Sequence, residues 1–291
     1  MTEKKFTRDS LLAFFREFYQ IWISERPAPL AGSLAYFGIF SVIPITYIAV
    51  TVAGFFIDAA ALLDQLITFA DTVLGPDVAH TIQDQFLELA ERTDQSSTLM
   101  SAISFVVLLF TASLIFFQLQ YVLNSVWRVP PPTKDGTRAF IINRLLAFVM
   151  VLGVGPLLIL ATMVSMVMSF FSSILGIERV IVVLTFVAYL GLATLSLAII
   201  YKYLPNAQVA WRDVWVGSAF TAIMITVAIL LLGLYLSIAE VNSALQAAGT
   251  AAVFLIAFYF FAQNFVIGAV FIRVYASIFG SKIMPLTSIQ S

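Results

Sequence analysis

An all-α polytopic membrane protein, a six-transmembrane-helix bundle with an N-terminal interfacial helix and an outer amphipathic helical hairpin, is the fold class that this sequence predicts. Three observations predict it. Hydrophobic residues make up 61% of the 291 positions and charged residues only 11%, against roughly 25% charged in soluble domains. Six stretches are apolar over the ~20 residues a helix needs to cross a bilayer. The basic residues fall almost entirely in alternate connecting segments. A single membrane domain, 1–291, accounts for the length and leaves no room for a separate soluble catalytic domain. The chain has no cysteine, which excludes disulfides and thiolate metal sites.

Residues 1–29 read as an interfacial helix. Leu11, Phe14, Phe15, Phe18, Ile21 and Trp22 recur at helical spacing, and Lys4, Lys5, Arg8 and Arg16 add positive charge. Such a helix lies along the membrane with its apolar face in the headgroup boundary. The interleaved charges do not fit a cleaved signal peptide. Pro27 and Pro29 are expected to end the helix and turn the chain. Spans follow at about 31–57, 98–127, 141–175, 180–203, 214–238 and 249–276. The third is too long for a straight crossing. Gly153, Gly155 and Pro156 predict a kink there, or an extension past the bilayer.

With the N-terminus inside, 13 of the 15 basic residues lie on that side, leaving Arg92 and Arg179 outside. The positive-inside rule makes that side cytoplasmic, with both termini there. The longest outer segment, 58–97, carries Asp58, Asp64, Asp71, Asp77, Asp84, Glu88, Glu91 and Asp94. Leu62, Leu63, Leu66, Ile67, Ala70 and Val73 form one apolar helical face; Val78, Ile82, Phe86 and Leu89 form a second. Gly75 and Pro76 separate them as a turn. This predicts an extracytoplasmic helical hairpin resting over the outer end of the bundle.

Three segments carry a resemblance to a known family. The first is Ala31-Gly32-Ser33-Leu34-Ala35-Tyr36-Phe37, continuing through Phe40 to Pro44. The second, and most specific, is Tyr201-Lys202-Tyr203-Leu204-Pro205-Asn206 with Trp211-Arg212-Asp213-Val214 and Gly217. The third runs from Gly249-Thr250-Ala251-Ala252 to Gly268-Ala269. Together with six spans, they resemble the YihY/BrkB-type inner-membrane proteins of bacteria over nearly the whole chain. That family was once labelled ribonuclease BN-like. Its resemblance implies a place in the bacterial cytoplasmic membrane, and a role in envelope integrity or export of lipid-like molecules. It singles out Tyr36, Pro205, Asn206, Trp211, Asp213, Gly217 and Gly268 as motif positions. One departure stands out. Family members often carry an acid after the last Gly-Ala pair, where this chain has Val270.

The ribonuclease label finds no support in the residues. A nuclease needs metal-binding carboxylates or histidines, or an acid–base pair, beside the RNA. The only histidine, His80, falls on the outer side. No enzyme, cofactor, metal or nucleic-acid partner is therefore expected. The expected partners are membrane lipids, and beyond them a second copy of the chain or other envelope proteins.

No Lys, Arg, Asp or Glu falls deep inside a predicted span. This argues against a proton-driven pump, because coupling residues usually sit at mid-membrane. The uncharged polar residues remain as candidates for substrate binding: Ser41 beside Pro44, Gln118, Gln120 and Asn124, and Gln263 with Asn264. They serve either as interhelical glue or as the lining of a polar groove. Gln120 and Asn124 share a helix face. With Asn143 and Arg144 close to the same boundary they suggest a pocket for an anionic headgroup, although an ordinary snorkelling arginine accounts for Arg144 more simply. Pro44 and Pro156 either break their helices and expose carbonyls or simply kink them. Ser218, Ala222 and Thr226 form a small-residue ridge suited to close helix contact. Asp213 is placed to cap the fifth span, and Trp211 to anchor it at the interface.

Two functions compete on these grounds. The first is a permease or flippase-like protein for lipids or other amphipathic molecules, without its own ATPase because no phosphate-binding loop is present. The second is a non-catalytic envelope scaffold acting through the outer hairpin.

Overall fold

The computed structural model describes residues 8–74, 76–94, 98–129, 136–175, 178–238, 250–281 and 283–285. Lys4, Lys5, Gly75, Lys134, Gly249 and Lys282, invoked above, lie outside them. Nine helices are present among the described residues: α1 (Arg8–Glu25), α2 (Pro27–Gly54), α3 (Ala59–Leu74), α4 (Pro76–Asp94), α5 (Thr98–Val126), α6 (Gly136–Leu175), α7 (Glu178–Tyr203), α8 (Trp211–Ile238) and α9 (Thr250–Ile278). Two-residue segments β1 (Ala207–Gln208) and β2 (Met284–Pro285) pair antiparallel, joining Ala207 to Pro285 and Gln208 to Met284.

Six helices are long and apolar enough to cross a membrane: Pro27–Gly54, Ile103–Val126, Ile141–Phe171, Val180–Tyr203, Trp211–Leu231 and Leu255–Ile278. Their outer surfaces are apolar. Val106, Val182 and Leu230 are each more than 60% exposed, which suits lipid as the surrounding solvent. Helix α2 is central and touches α5, α6 and α9; α9 also packs on α8 and α1, and α7 bridges α6 and α8.

Helix α1 ends where the two prolines predict, just ahead of Pro27. The break falls at Arg26, which adopts a left-handed conformation (φ 43°), and Pro27 opens α2 at its first turn, where a missing N–H costs nothing. Helix α1 then lies against α9. Phe14 meets Phe271 edge-on at 5.2 Å, and Ser277 donates to Glu17. The expected apolar face divides: Phe14, Phe18, Ile21 and Trp22 pack on the core, while Leu11 and Phe15 stay exposed.

Helix α6 runs unbroken through Gly153, Gly155 and Pro156. It is about 60 Å long at 1.5 Å per residue, which extends past a ~30 Å core. Gly155 is a notch: a side chain there would press on Val52 at 2.8 Å and on Ala49 O at 3.2 Å. Pro44 likewise sits inside a continuous α2. Neither proline divides its helix.

The hairpin departs most from expectation. Its apolar faces are buried as the periodicity predicts, with Leu62, Ala70, Val78, Ile82 and Phe86 all in the core. It does not rest over the end of the bundle, however. Ala70, Val78, Ala79 and Ile82 cluster with Ile39 and Val42 of α2 and Phe258 of α9. Farther back along the hairpin, the Phe86 ring meets Tyr47 at a tilt, 5.5 Å between centroids. Ile39 and Val42 lie about 18–23 Å along α2 from Pro27, near the middle of a ~30 Å core. Ser41, between them, donates to Thr111 O at 3.3 Å, midway along α5. Helices α3 and α4 therefore descend beside α2 to mid-depth. A 3.6-residue period shows which face is buried, not how deep the partner lies.

Candidate functional site

The basic ends of α5, α6, α7, α8 and α9 converge on the segment after α7. Gln120 on α5 donates through Nε2 to Leu204 O at 2.7 Å and to Asn143 Oδ1 on α6 at 3.2 Å, with Asn206 Oδ1 at 3.5 Å. Asn124, one turn on, accepts from the Asn206 backbone N–H at 2.9 Å. The 204–206 turn is thus held from behind by two amides of α5, one of which also bonds Asn143 of α6. Each of its polar groups would otherwise face a low-dielectric interior, where an unpaired group is costly.

In front of this turn lies an open cavity of about 650 Å³, lined by Lys202, Tyr203, Pro205, Ala207, Gln208, Val209, Ala210, Ser281 and Met284. Lys202 Nζ donates to Val209 O and lies 5.5 Å from the Trp211 ring, within cation–π range. Tyr203 meets Trp211 edge-on at 5.9 Å. Trp211 is 42% exposed, as an interfacial anchor should be. Asp213 is buried, but it does not cap its own helix: its carboxylate accepts from the Ser281 N–H at 3.1 Å, and Gly280 packs directly on it. It ties the chain leaving α9 to the cavity wall, and the β1–β2 pairing closes the same wall.

Behind the wall, motif glycines set helix spacing. A side chain at Gly217 would strike Ile272, and one at Gly268 would strike Thr221 Oγ1 and the Tyr201 hydroxyl. Tyr201 is fully buried, stacks on Phe265 at 4.8 Å and donates to Phe265 O at 2.8 Å. Trp127 Nε1 donates to Ala269 O at 2.9 Å, and Arg273 Nη1 to Val126 O.

The structure joins some of the expected site residues and separates others. Gln120, Asn124, Pro205, Asn206, Trp211 and Asp213 belong to one assembly. Arg144 does not share their bonds. Its Nη2 donates to Phe110 O at 3.0 Å, its guanidinium lies 3.7 Å from the Phe110 ring centre, and its buried Nε has no partner. Ser41 and Pro44 belong to the α2–α5 contact. Asn264 turns back to Phe260 O at 2.8 Å. Gln263 Oε1 is buried without a partner. Tyr36 is exposed among Phe37 and Phe40 on the outer surface of α2. Asn143, expected at the same boundary as Gln120 and Asn124, joins the assembly through Gln120. Lys202, Ser281 and Met284 complete the assembly without having been singled out as site residues, and Met284 carried no signal.

The Virulence factor BrkB family model matches residues 22–282. This chain belongs to the BrkB family. Its bacterial relatives are membrane proteins by name. A UPF0761 membrane protein of Nitrosospira multiformis is 29% identical over 67% of this chain and 44% of its own length. One from a Janthinobacterium species is 28% identical over 68% and 44%, and one from Azotobacter vinelandii is 24% identical over 78% and 54%. This BrkB family member therefore spans about half the length of the curated relatives it matches. None of these three names denotes a ribonuclease. No solved structure matches. Among the described residues no group of three or more His, Asp or Glu side chains is arranged to hold a metal.

Proposed function

We propose that this BrkB family protein is a permease or flippase-like protein that handles lipids or other amphipathic molecules at the cavity beneath the 201–213 segment. The observation that carries this reading is the cavity's mixed lining at a membrane boundary. Lys202 supplies a cation with three donors, of which Val209 O engages one. Tyr203, Pro205, Val209 and Met284 supply apolar surface. A headgroup phosphate beside the ammonium and an acyl chain along the apolar wall suit that pairing. We place the basic end in the cytoplasm and the protein in the bacterial inner membrane, because thirteen of fifteen basic residues gather at that end.

Gln263 supports passage across the bundle. An amide oxygen left unpaired inside an apolar helix bundle is costly, and a passing polar headgroup supplies the missing donor. The alternative scaffold reading acts through the outer hairpin. Burial of Ala70, Val78 and Ile82 against α2 and α9 makes the hairpin part of the bundle.

Native mass spectrometry of the protein released gently from its own membrane tests the proposal. A stoichiometric anionic lipid, lost in Lys202→Ala and retained in Arg144→Gln, is the expected result. Bulk lipid unaffected by Lys202→Ala refutes a cavity-bound substrate.

A further inference from the structure

The hairpin carries a row of acidic side chains down beside α2. Along α4, His80, Asp84, Glu88 and Glu91 recur at helical spacing and are all exposed; along α3, Asp64, Thr68 and Asp71 do the same. These stripes lie opposite the buried faces of Leu62, Ala70, Val78, Ile82 and Phe86. The buried faces at the hairpin tip meet Ile39 and Val42, midway along α2, and Phe258, nearer the outer end of α9. Asp71 and His80 flank that tip, so they share its depth.

Ionised side chains at this depth do not face lipid: insertion of an aspartate at a helix centre costs roughly 2.5–3.5 kcal/mol even on the mildest scale. Non-spanning segments at membrane depth occur where they are buried in protein or line water. The apolar faces of this hairpin meet the first condition. We propose that its polar faces meet the second, lining a water-filled vestibule that enters opposite the basic end and reaches mid-depth. Asp64, Asp71, Asp84, Glu88 and Glu91 give the vestibule a negative field, so it admits small hydrophilic cations in preference to anions. This inference is independent of the lipid cavity at the other end.

The absence of native cysteine makes the test direct. Single variants Asp71→Cys, His80→Cys and Asp84→Cys are compared with Phe56→Cys, at the hairpin's base, and Val227→Cys, on the lipid face of α8. Membrane-impermeant thiol reagents are applied to intact cells or inverted vesicles, from whichever side labels Phe56→Cys. A thiol in water ionises and reacts, whereas each unit of pKa rise in an apolar setting removes about tenfold of its thiolate. The three hairpin positions are expected to label within about threefold of Phe56→Cys, and Val227→Cys at least about tenfold more slowly. A cationic methanethiosulfonate should outpace its anionic counterpart at His80→Cys. Depth is read separately by copper-catalysed cross-linking of Val42→Cys with Val78→Cys, detected after cleavage at a protease site placed between them.

A cross-link together with labelling supports the vestibule. A cross-link with silent hairpin positions overturns it, since the polar face is then covered by protein. Labelling without a cross-link also overturns it, since the hairpin then lies outside the membrane. Equal rates for the two reagents remove the cation preference.

Discussion

Replacing Gln120 by leucine keeps the side-chain volume nearly constant and removes its amide. The wild-type amide has two N–H protons and three acceptors, with the shortest bond, 2.7 Å, to Leu204 O. Leu204 is 1% exposed, so its carbonyl gains no water when the donor goes. A buried acceptor left unpaired costs about 1–3 kcal/mol, and the contact to Asn143 adds about 0.6 kcal/mol, the average for a side-chain bond between membrane helices. Gln120→Leu should therefore lose about 1.6–3.6 kcal/mol of stability. Gln118→Leu, on the same helix, is the control. Gln118 donates to Ser33 Oγ at 2.8 Å, and that hydroxyl keeps its own bond to Leu30 O, so about 0.6 kcal/mol is expected. Gln120→Glu should be the worst of the three, because an ionised carboxylate has no proton for three acceptors. Reversible unfolding by sodium dodecyl sulfate in mixed micelles, followed by circular dichroism, measures all three. Equal losses for Gln118→Leu and Gln120→Leu, or a Gln120→Leu loss below about 0.5 kcal/mol, refute the convergence of three segments on this one amide.

The same titration checks three further substitutions. Ser218→Ala deletes a buried hydroxyl without a partner and should be neutral or stabilising by up to about 1 kcal/mol; a loss of that size would reveal a partner. Gly268→Ala drives a methyl into Thr221 Oγ1 and the Tyr201 hydroxyl and should lose about 1–3 kcal/mol, partly recovered in a Thr221→Ala background. A Gly268→Ala variant as stable as wild type argues against the close α8–α9 approach. Asp213→Ala frees the Ser281 N–H and should lose about 1.5–3 kcal/mol, the range for a bond to a charged group. Asp213→Asn, which keeps an acceptor oxygen, should lose less; the reverse order contradicts the assigned bond.

The six spans were legible because lipid demands apolar residues around a whole helix, and such runs admit no other reading. The faces of the hairpin were legible for the same kind of reason: Leu62, Val78, Ile82 and Phe86 follow the helical period and are buried. Its depth was not, because α4 carries Asp84, Glu88 and Glu91, and such a segment reads as water-facing wherever it sits. The amide assembly was half legible. Gln120 and Asn124 share a face by periodicity, but Asn206 meets them from more than 80 positions away, and no local pattern encodes that meeting. Asp213 was placed at the right boundary with the wrong partner, and Arg144 reaches from that boundary to Phe110 O, midway along α5. Long or charged side chains choose among acceptors within several ångströms, and that choice depends on packing between helices.

Phe258, which closes the hairpin's apolar cluster, lies on α9, the last helix among the described residues. Helix α4 is too acidic to enter lipid unaided, and at about 5–20 residues per second roughly ten to thirty seconds separate its synthesis from that of α9. Throughout that interval the hairpin lacks one wall of its binding cleft. Its docking is therefore a post-translational event, completed only when α9 arrives. The segment that reaches mid-bilayer in the finished protein is among the earlier parts to be synthesised and among the last to settle.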